Sequence, residues 1–284
     1  MRQHNIEKIS FMGQSFLMAA VVSSWGVDDV VVGSIKQGEY VELDALVWWL
    51  AMLNREAPSL YLDVGSYSGL YAMIAAAHRP AHRTVAIEAS VLTHGRLVQN
   101  ILLNDFDLRV VPCHAAVSDR TEIVHLGHAF GALSMASGES LEPDYATDYL
   151  EPVASTSLDA LLLQAGPERL GTVAATSAGI LPVTAIGGMK IDVEGVEIAV
   201  LRGAAEVLRR FRPPLIVEIL DAEKLASCRE ILSDAGYLML AECPHLNYVF
   251  CHEADADMLR RSHEQVSAGE VPAIGCETIL SFSR

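Results

Sequence analysis

Positive charge is scarce in this sequence. Lys and Arg number 20 against 36 Asp and Glu, which leaves a formal net charge of −16 with His neutral. So acidic a chain is repelled by phosphate backbones and anionic headgroups, which argues against sequence-independent nucleic-acid binding and against a membrane partner. Long apolar runs are missing as well. The longest near the N-terminus, Phe16 to Val22, has seven residues, where a membrane span needs ~20. No basic cluster precedes it and no small-residue cleavage pattern follows it, so no export signal is read there. Cysteine is sparse and odd in number, five scattered residues at 113, 228, 243, 251 and 276, which suits reduced, buried thiols in a cytoplasm. Ligand pairs with zinc-like spacing are absent. Cys243, His245, Cys251 and His252 do not match C-x₂₋₄-C, and adjacent strand residues face opposite ways, so no metal site is expected there. The G-x-S-x-G elbow of serine hydrolases is missing, and there is no internal repeat or low-complexity tract.

What the chain does have is apolar material, 51% of 284 residues, enough for one large core with an appendage. Residues 1–57 read as a helical lead-in, in which Asp44 to Asn54 is strongly apolar and stopped by Pro58. From residue 58 to 284 the pattern is that of one domain. Leu60 to Leu62, Thr84 to Glu88 and Arg109 to Val117 are strand-like, with helical stretches Leu70 to Ala77 and Thr93 to Leu103 between them. The strands are continuously apolar, as in a parallel sheet covered on both faces, and right-handed crossovers make it doubly wound. The rhythm resumes with Met189 to Val193, a helix Glu197 to Arg210, Leu215 to Leu220 and a helix Lys224 to Ala235 closed by Gly236. Tyr237 to Glu242 and Asn247 to Cys251 are too close for a helical crossover and predict an antiparallel hairpin. A mostly parallel α/β sheet ending in an antiparallel hairpin is the Rossmann-like sheet of class I methyltransferases.

The first chemical motif is Asp63-Val64-Gly65-Ser66-Tyr67-Ser68-Gly69, between a strand and a helix. Its glycines allow a tight turn and close approach to a ligand. Glu88 ends the next strand, 19 residues after Gly69, where an acid accepts hydrogen bonds from a ribose diol. A dinucleotide site would carry a third glycine, and Asp63 is a poor neighbour for a pyrophosphate. It suits a ligand with an amino or sulfonium group, so S-adenosyl-L-methionine fits better than NAD(P) as cofactor. On this reading Gly65, Ser66, Tyr67 and Gly69 pass close to the methionine and ribose parts. Asp63 supports the loop or meets the amino group, and His114 or Ala115 flanks the adenine.

The second motif is Met189-Lys190-Ile191-Asp192-Val193-Glu194-Gly195-Val196-Glu197. Helix capping accounts for one acid near a helix start, but not for an acid pair at the end of an apolar strand on the ligand edge of an open sheet.

With Ile87-Glu88-Ala89, Asn100 and Asn104, Ser157-Leu158-Asp159, and Leu201-Arg202-Gly203-Ala204, these motifs resemble the FkbM family of SAM-dependent methyltransferases over roughly Gly38 to Cys251. The K-I-D-V-E-G-x-E stretch is the most specific. Ala89 stands where the family usually has Pro, and the segment between Asp159 and Lys190 is longer than usual. The resemblance implies O-methylation of a small hydroxylated acceptor, a sugar, polyketide or other secondary metabolite. Asp192, Glu194 and Glu218 are the candidate bases, with His125 and His128 behind them. The same carboxylates could hold Mg²⁺, an option ranked below metal-free transfer. The rival readings are an NAD(P)-dependent oxidoreductase and a non-catalytic methyltransferase-like scaffold. A homodimer is compatible with such folds. Residues 125–152, with Phe130, Met135, Tyr145 and Tyr149, suit a long loop acting as acceptor lid. Residues 164–188 read as an insertion that enters the next strand at its amino end, away from the chemistry. Its piece Ile180 to Ile186 suits an edge strand or a dimer contact.

Overall fold

The computed structural model describes residues 3–23, 26–128, 149–164, 185–269 and 272–283. The chain opens with strands β1 (Gln3–Phe11), β2 (Gln14–Ser23) and β3 (Gly26–Val27), followed by helices α1 (Val30–Gln37) and α2 (Leu43–Leu53). The helical lead-in is therefore corrected for its first half. Asn5, Glu7, Ile9 and Phe11 point inward from β1, and two of these four are polar. The alternation that marks a half-buried strand is masked in the sequence for that reason. Glu7 is fully buried and accepts from Lys36 Nζ at 2.6 Å, Thr278 Oγ1 at 2.8 Å and Asn5 Nδ2 at 3.0 Å.

The central motif follows as expected: β4 (Leu60–Val64), α3 (Leu70–His78), β5 (Arg83–Glu88), α4 (Val91–Leu103) and β6 (Val110–His114). Next come β7 (Ala116–Val117), β8 (Ile123–His128) and β9 (Tyr149–Thr156). The expected loop 125–152 is thus partly a ribbon. Strands β8 and β9 pair antiparallel, with Leu126 opposite Glu151, and β9 pairs parallel with β7. His125, Gly127 and His128 gave β8 too little apolar character to be read as a strand. Phe130, Met135 and Tyr145 of the lid lie outside the described residues.

After β10 (Ile186–Ile191) the expected helix is two, α5 (Glu197–Arg202) and α6 (Ala205–Phe211). At the break, a Cβ on Gly203 would lie 2.2 Å from the Ser118 carbonyl oxygen, and Asp159 accepts from the Glu206 and Val207 amides at 3.0 and 2.8 Å. The Ser157-Leu158-Asp159 element is therefore a helix cap delivered from elsewhere in the chain. Of 164–188, residues 165–184 lie outside the described residues. Ala185 and Ile186 enter β10 at its amino end, beside Leu60.

The chain finishes with β11 (Leu215–Glu218), α7 (Ala222–Asp234), β12 (Tyr237–Cys243), β13 (Asn247–His252), α8 (Ala256–Ser267) and β14 (Ile274–Ser283). The main sheet has the order β12-β13-β11-β10-β4-β5-β6, with β13 antiparallel to both neighbours. That is the class I methyltransferase sheet. Apolar clusters cover both faces. One is built on α2, α3 and β2, including Trp49, Tyr61 and Met73, and the other on α5, α6 and α7. No described helix is long and apolar enough to cross a membrane.

A second sheet, β14-β1-β2-β3, packs beside the first. Along most of β2 the outer edge meets a helix instead of a strand. Asn104 Oδ1 accepts from Leu17 N at 2.7 Å, Asn100 Oδ1 from Ala19 N at 2.8 Å, and Arg96 Nη1 donates to Ala19 O at 2.6 Å. Positions 96, 100 and 104 share one face of α4, so the helix supplies a ladder that a strand would otherwise supply. Asn100 also donates to Ser68 O at 2.9 Å, within the glycine turn. An Asn100→Ala substitution strands both the Ala19 amide and the Ser68 carbonyl, at roughly 1–3 kcal/mol for each buried group left unpaired. Urea unfolding should show that loss, and an unchanged midpoint would mean that Asn100 does not hold β2.

Candidate functional site

The carboxyl ends of β4, β5, β6, β10 and β11 come together on one edge of the main sheet, where Val64 lies beside Ile87 and Ile191, and Glu88 beside His114. The glycine turn leaves β4 there. Gly65 N and Ser66 N donate to Ile87 O at 2.9 and 3.0 Å. Gly65 has φ +76°, and a Cβ on it would lie 1.6 Å from the Asp192 carbonyl oxygen. Gly69 has φ +97° and would meet Leu97 Cδ1 at 2.5 Å. Both glycines are thus demanded by the protein's own packing, against β10 in one case and α4 in the other.

Glu88 fixes the turn from the next strand. Its Oε2 accepts from Tyr67 N at 2.7 Å and its Oε1 from Ser90 N at 2.9 Å. Burial raises its pKa against the pull of those donors. Asp63 is buried beneath the turn and accepts from Ala72 N at 3.0 Å, in the first turn of α3. Burial pushes its carboxyl up to about 7, although Lys190 and the Ala72 amide oppose the shift. Ser66 is buried, and its hydroxyl has no partner among the described residues.

A cavity of about 250 Å³ runs along this edge. Glu88, Ala89, Ala115, Val117 and Leu126 line one end, and Glu42, Asp192, Glu194 and Glu218 the other. A second cavity of about 320 Å³ adjoins it at Gly65, Tyr67 and Glu42, lined also by Tyr40, Asp63, Ser66, Tyr71 and Lys190. Of the residues expected from sequence, Gly65, Tyr67, Glu88, Ala115, Asp192, Glu194 and Glu218 share the first cavity, and Asp63 and Ser66 line the second. Gly69 lines neither. His114 turns away, with Nε2 2.9 Å from Ala89 O, and leaves Ala115 to face the cavity.

The acidic end is a charge network around one buried cation. Lys190 is 1% exposed and donates to Asp192 Oδ2 and Asn247 Oδ1, both at 3.0 Å. Its ammonium also lies 5.4 Å from the Tyr71 ring centroid. Burial works against its charge, but Asp192, then Glu42 and Glu218, hold its pKa above the ordinary range. Glu42 Oε2 accepts from the hydroxyls of Tyr40 and Tyr71, each at 3.2 Å. Asp192 and Glu218 share a hydrogen bond. Burial would raise Asp192, yet Lys190 and Glu218 keep it below the usual carboxylate value, while burial and Asp192 hold Glu218 protonated well above it. Glu194 sits in a left-handed turn, φ +51°, just before Gly195. Its carboxyl is pushed up to about 7 by desolvation and by the charges of Asp192 and Glu197.

Sequence reasoning missed Glu42, Tyr40 and Tyr71, and assigned no role to Lys190. Nothing local marks Glu42, which reaches the site only because α2 packs over the sheet. Carboxylate oxygens of Glu42, Asp192 and Glu218 lie within 4.8 Å of one another and could hold a cation. Such a cation would have to displace the Lys190 ammonium from Asp192 and the proton from Glu218.

The residues fit S-adenosyl-L-methionine. Glu88 lines the cavity with a carboxyl group of the kind that accepts from ribose hydroxyls. The wall of Ala89, Ala115, Val117 and Leu126 suits a flat base. The orphaned Ser66 hydroxyl would offer a bond to the amino-acid end, and the acidic residues of the cleft would suit a positive sulfonium.

Among solved structures, the chain is similar to the FkbM methyltransferase from Methylobacillus flagellatus KT, at 15% identity and TM-score 0.46, over 69% of this chain and 44% of that one. The chain thus spans less than half the length of that relative. It is also similar to precorrin-6y C5,15-methyltransferase from Geobacter metallireducens GS-15, at 14% identity and TM-score 0.40, over 73% and 85% of the two chains. A human methyltransferase 10 domain containing protein matches at 11% identity and TM-score 0.37, over 74% and 80%. No curated protein sequence matches the chain. The methyltransferase FkbM domain matches residues 63–239, more than half the chain, and that stretch holds the glycine turn, the Glu88 strand end and the acidic turn after β10: the chain belongs to the FkbM methyltransferase family.

Proposed function

We propose that this chain transfers a methyl group from S-adenosyl-L-methionine to a hydroxyl oxygen of a small molecule, of the sugar, polyketide or secondary-metabolite kind. The observation that carries the reading is one continuous cavity from Glu88 and Ala115 to Asp192, Glu194 and Glu218. A carboxylate suited to a ribose and carboxylates suited to a proton share a single cleft. When bound, the cofactor supplies a methyl group already activated by positive charge. The chain has then to hold an acceptor oxygen in line and remove its proton.

Of the three candidate bases, Glu194 suits that step. Glu218 already holds a proton, and Asp192 is neutralised by Lys190. Glu194 titrates near 7, where a general base is most effective. Lys190 is the one basic side chain among the described residues lining the two cavities, and Asp192 and Asn247 engage it. A phosphate, sulfate or carboxylate next to the reacting oxygen would meet only like charge. Neutral or amine-bearing hydroxyl compounds are the acceptors this end suits.

Calorimetry with S-adenosylhomocysteine tests the cofactor half. The chain should bind it, and Glu88→Gln should bind about 5–100-fold more weakly, the cost of a lost charge-assisted bond. Equal affinities would remove Glu88 from the ribose. A mass-spectrometric screen of hydroxylated acceptors with labelled S-adenosyl-L-methionine tests the other half. Binding without transfer to any acceptor would favour a methyltransferase-like scaffold.

A further inference from the structure

Outside the main sheet, the ribbon β8–β9 reaches the adenosine end of the cavity through Leu126, which is buried beside Ala89 and Ala116. Leu126 lies directly opposite Glu151 in the antiparallel pair, so the two side chains share one face of the ribbon. His128 lies on that face too, two residues on. Glu151 is only 7% exposed, yet it is a carboxylate. Its Oε1 accepts from Val91 N, in the first turn of α4, at 3.0 Å. Its Oε2 pairs with His128 Nε2 at 2.9 Å, and His114 Nε2 stands 3.6 Å from Oε1. His114 in turn touches Ala89 O at 2.9 Å, and its ring packs against His94 at 5.1 Å. One buried carboxylate therefore joins three elements, the ribbon, the start of α4 and the end of β6. All three carry cavity wall next to the junction, Leu126 on the ribbon, Ala89 before α4 and Ala115 after β6.

We propose that Glu151 is the positioning residue of the adenosine end: it docks the ribbon so that Leu126 closes the apolar slot against Ala89 and Ala115. The inference rests on the S-adenosyl-L-methionine reading of the cavity. Glu151 does not line the cavity and acts through Leu126. A wall of this kind selects by shape and dispersion, so it depends on how rigidly it is held. Buried hydrogen bonds that join Glu151 to the start of α4 and to His128 hold it where the apolar contacts of the ribbon are few.

The experiment titrates adenosine and S-adenosylhomocysteine into the unaltered chain, Glu151→Ala, Glu151→Gln and Leu126→Ala, by calorimetry. Glu151→Ala should weaken both ligands by the same factor, about tenfold or more, because only their shared adenosine half is touched. Glu151→Gln keeps an oxygen for Val91 N and should recover most of the affinity. Leu126→Ala, which leaves the carboxylate network intact, should reproduce the loss and carries the test if Glu151→Ala does not fold. The inference is overturned if adenosine binds Glu151→Ala or Leu126→Ala as tightly as the unaltered chain, or if Glu151→Gln is as impaired as Glu151→Ala. Failure of the unaltered chain to bind S-adenosylhomocysteine would instead overturn the cofactor reading, and this inference with it.

Discussion

Lys190→Met should cost the fold about 3–5 kcal/mol at pH 7, the usual result of removing one partner from a buried ion pair. Methionine fills most of the lysine volume, so the loss is electrostatic. Asp192, Glu42 and Glu218 would be left around a site with no cation. The pH dependence identifies the cause. In the unaltered chain the folded pKa of Asp192 lies below its ordinary 3.8, so its pairing stabilises above that value and is lost as pH falls through the folded pKa. The folded pKa of Lys190 lies above its ordinary 10.5, so its share is present below 10.5 and is lost as pH rises through the folded value. The deficit of the variant should therefore be full between about pH 5 and 10 and shrink toward pH 4, where Asp192 can take up a proton instead. Urea unfolding of both proteins at pH 4.5 and pH 7.5 measures it. A deficit independent of pH would show that packing, not charge, keeps Lys190 in place.

The second large effect is expected at Glu194. Replacement by glutamine should lower kcat about 10²–10⁴-fold, the range of general-base catalysis, with S-adenosylhomocysteine affinity within a few-fold. In the unaltered chain kcat should climb with pH and level off above about 7, following ionisation of Glu194. The glutamine variant should lose that rising limb. Stability should move the opposite way. The folded pKa of Glu194, about 7, exceeds its ordinary 4.5. The unfolded chain therefore gives up this proton first, and stability falls as pH rises from about 4.5 to 7. The glutamine variant escapes that loss, so it should melt at a higher temperature than its parent at pH 8 and not at pH 4. An enzyme made slower and more stable by one substitution is the signature of a strained functional group. Glu194→Gln with an unaltered pH profile would pass the role of base to another residue.

The central half of the fold was legible because its signals are local. Continuous apolar runs, glycine punctuation and the Pro213-Pro214 break mark β4, β5, β10 and β11 without reference to any distant residue. The acidic turn was legible for the same reason. Other features depend on what the chain meets far away. Asn5 and Glu7 are polar and buried because Lys36, Thr278 and Ser281 reach them. Glu42 joins the site only through the packing of α2. At the end of β6, His114 and Ala115 are adjacent, and only the finished register decides that Ala115 faces the cavity. Gly65 teaches a subtler lesson. Its glycine requirement was visible, but the left-handed φ and the Asp192 carbonyl that impose it in the fold were not.

The pairing of β1 with β14 has a consequence in time. Phe11 lies beside Ile274, and Gln3 beside Ser283. At 5–20 residues per second of synthesis, β1 emerges roughly 15–50 s before its neighbour. The hairpin β1–β2 forms locally, so throughout that interval it presents an open edge of amide and carbonyl groups, the kind that recruits other nascent strands. Asn5 and Glu7 face inward from that edge and receive Ser281 and Thr278 only when β14 arrives. An inward charge on an unfinished edge deters the wrong strand. The same Glu7 that locks the completed sheet keeps an acidic group on that edge until β14 arrives.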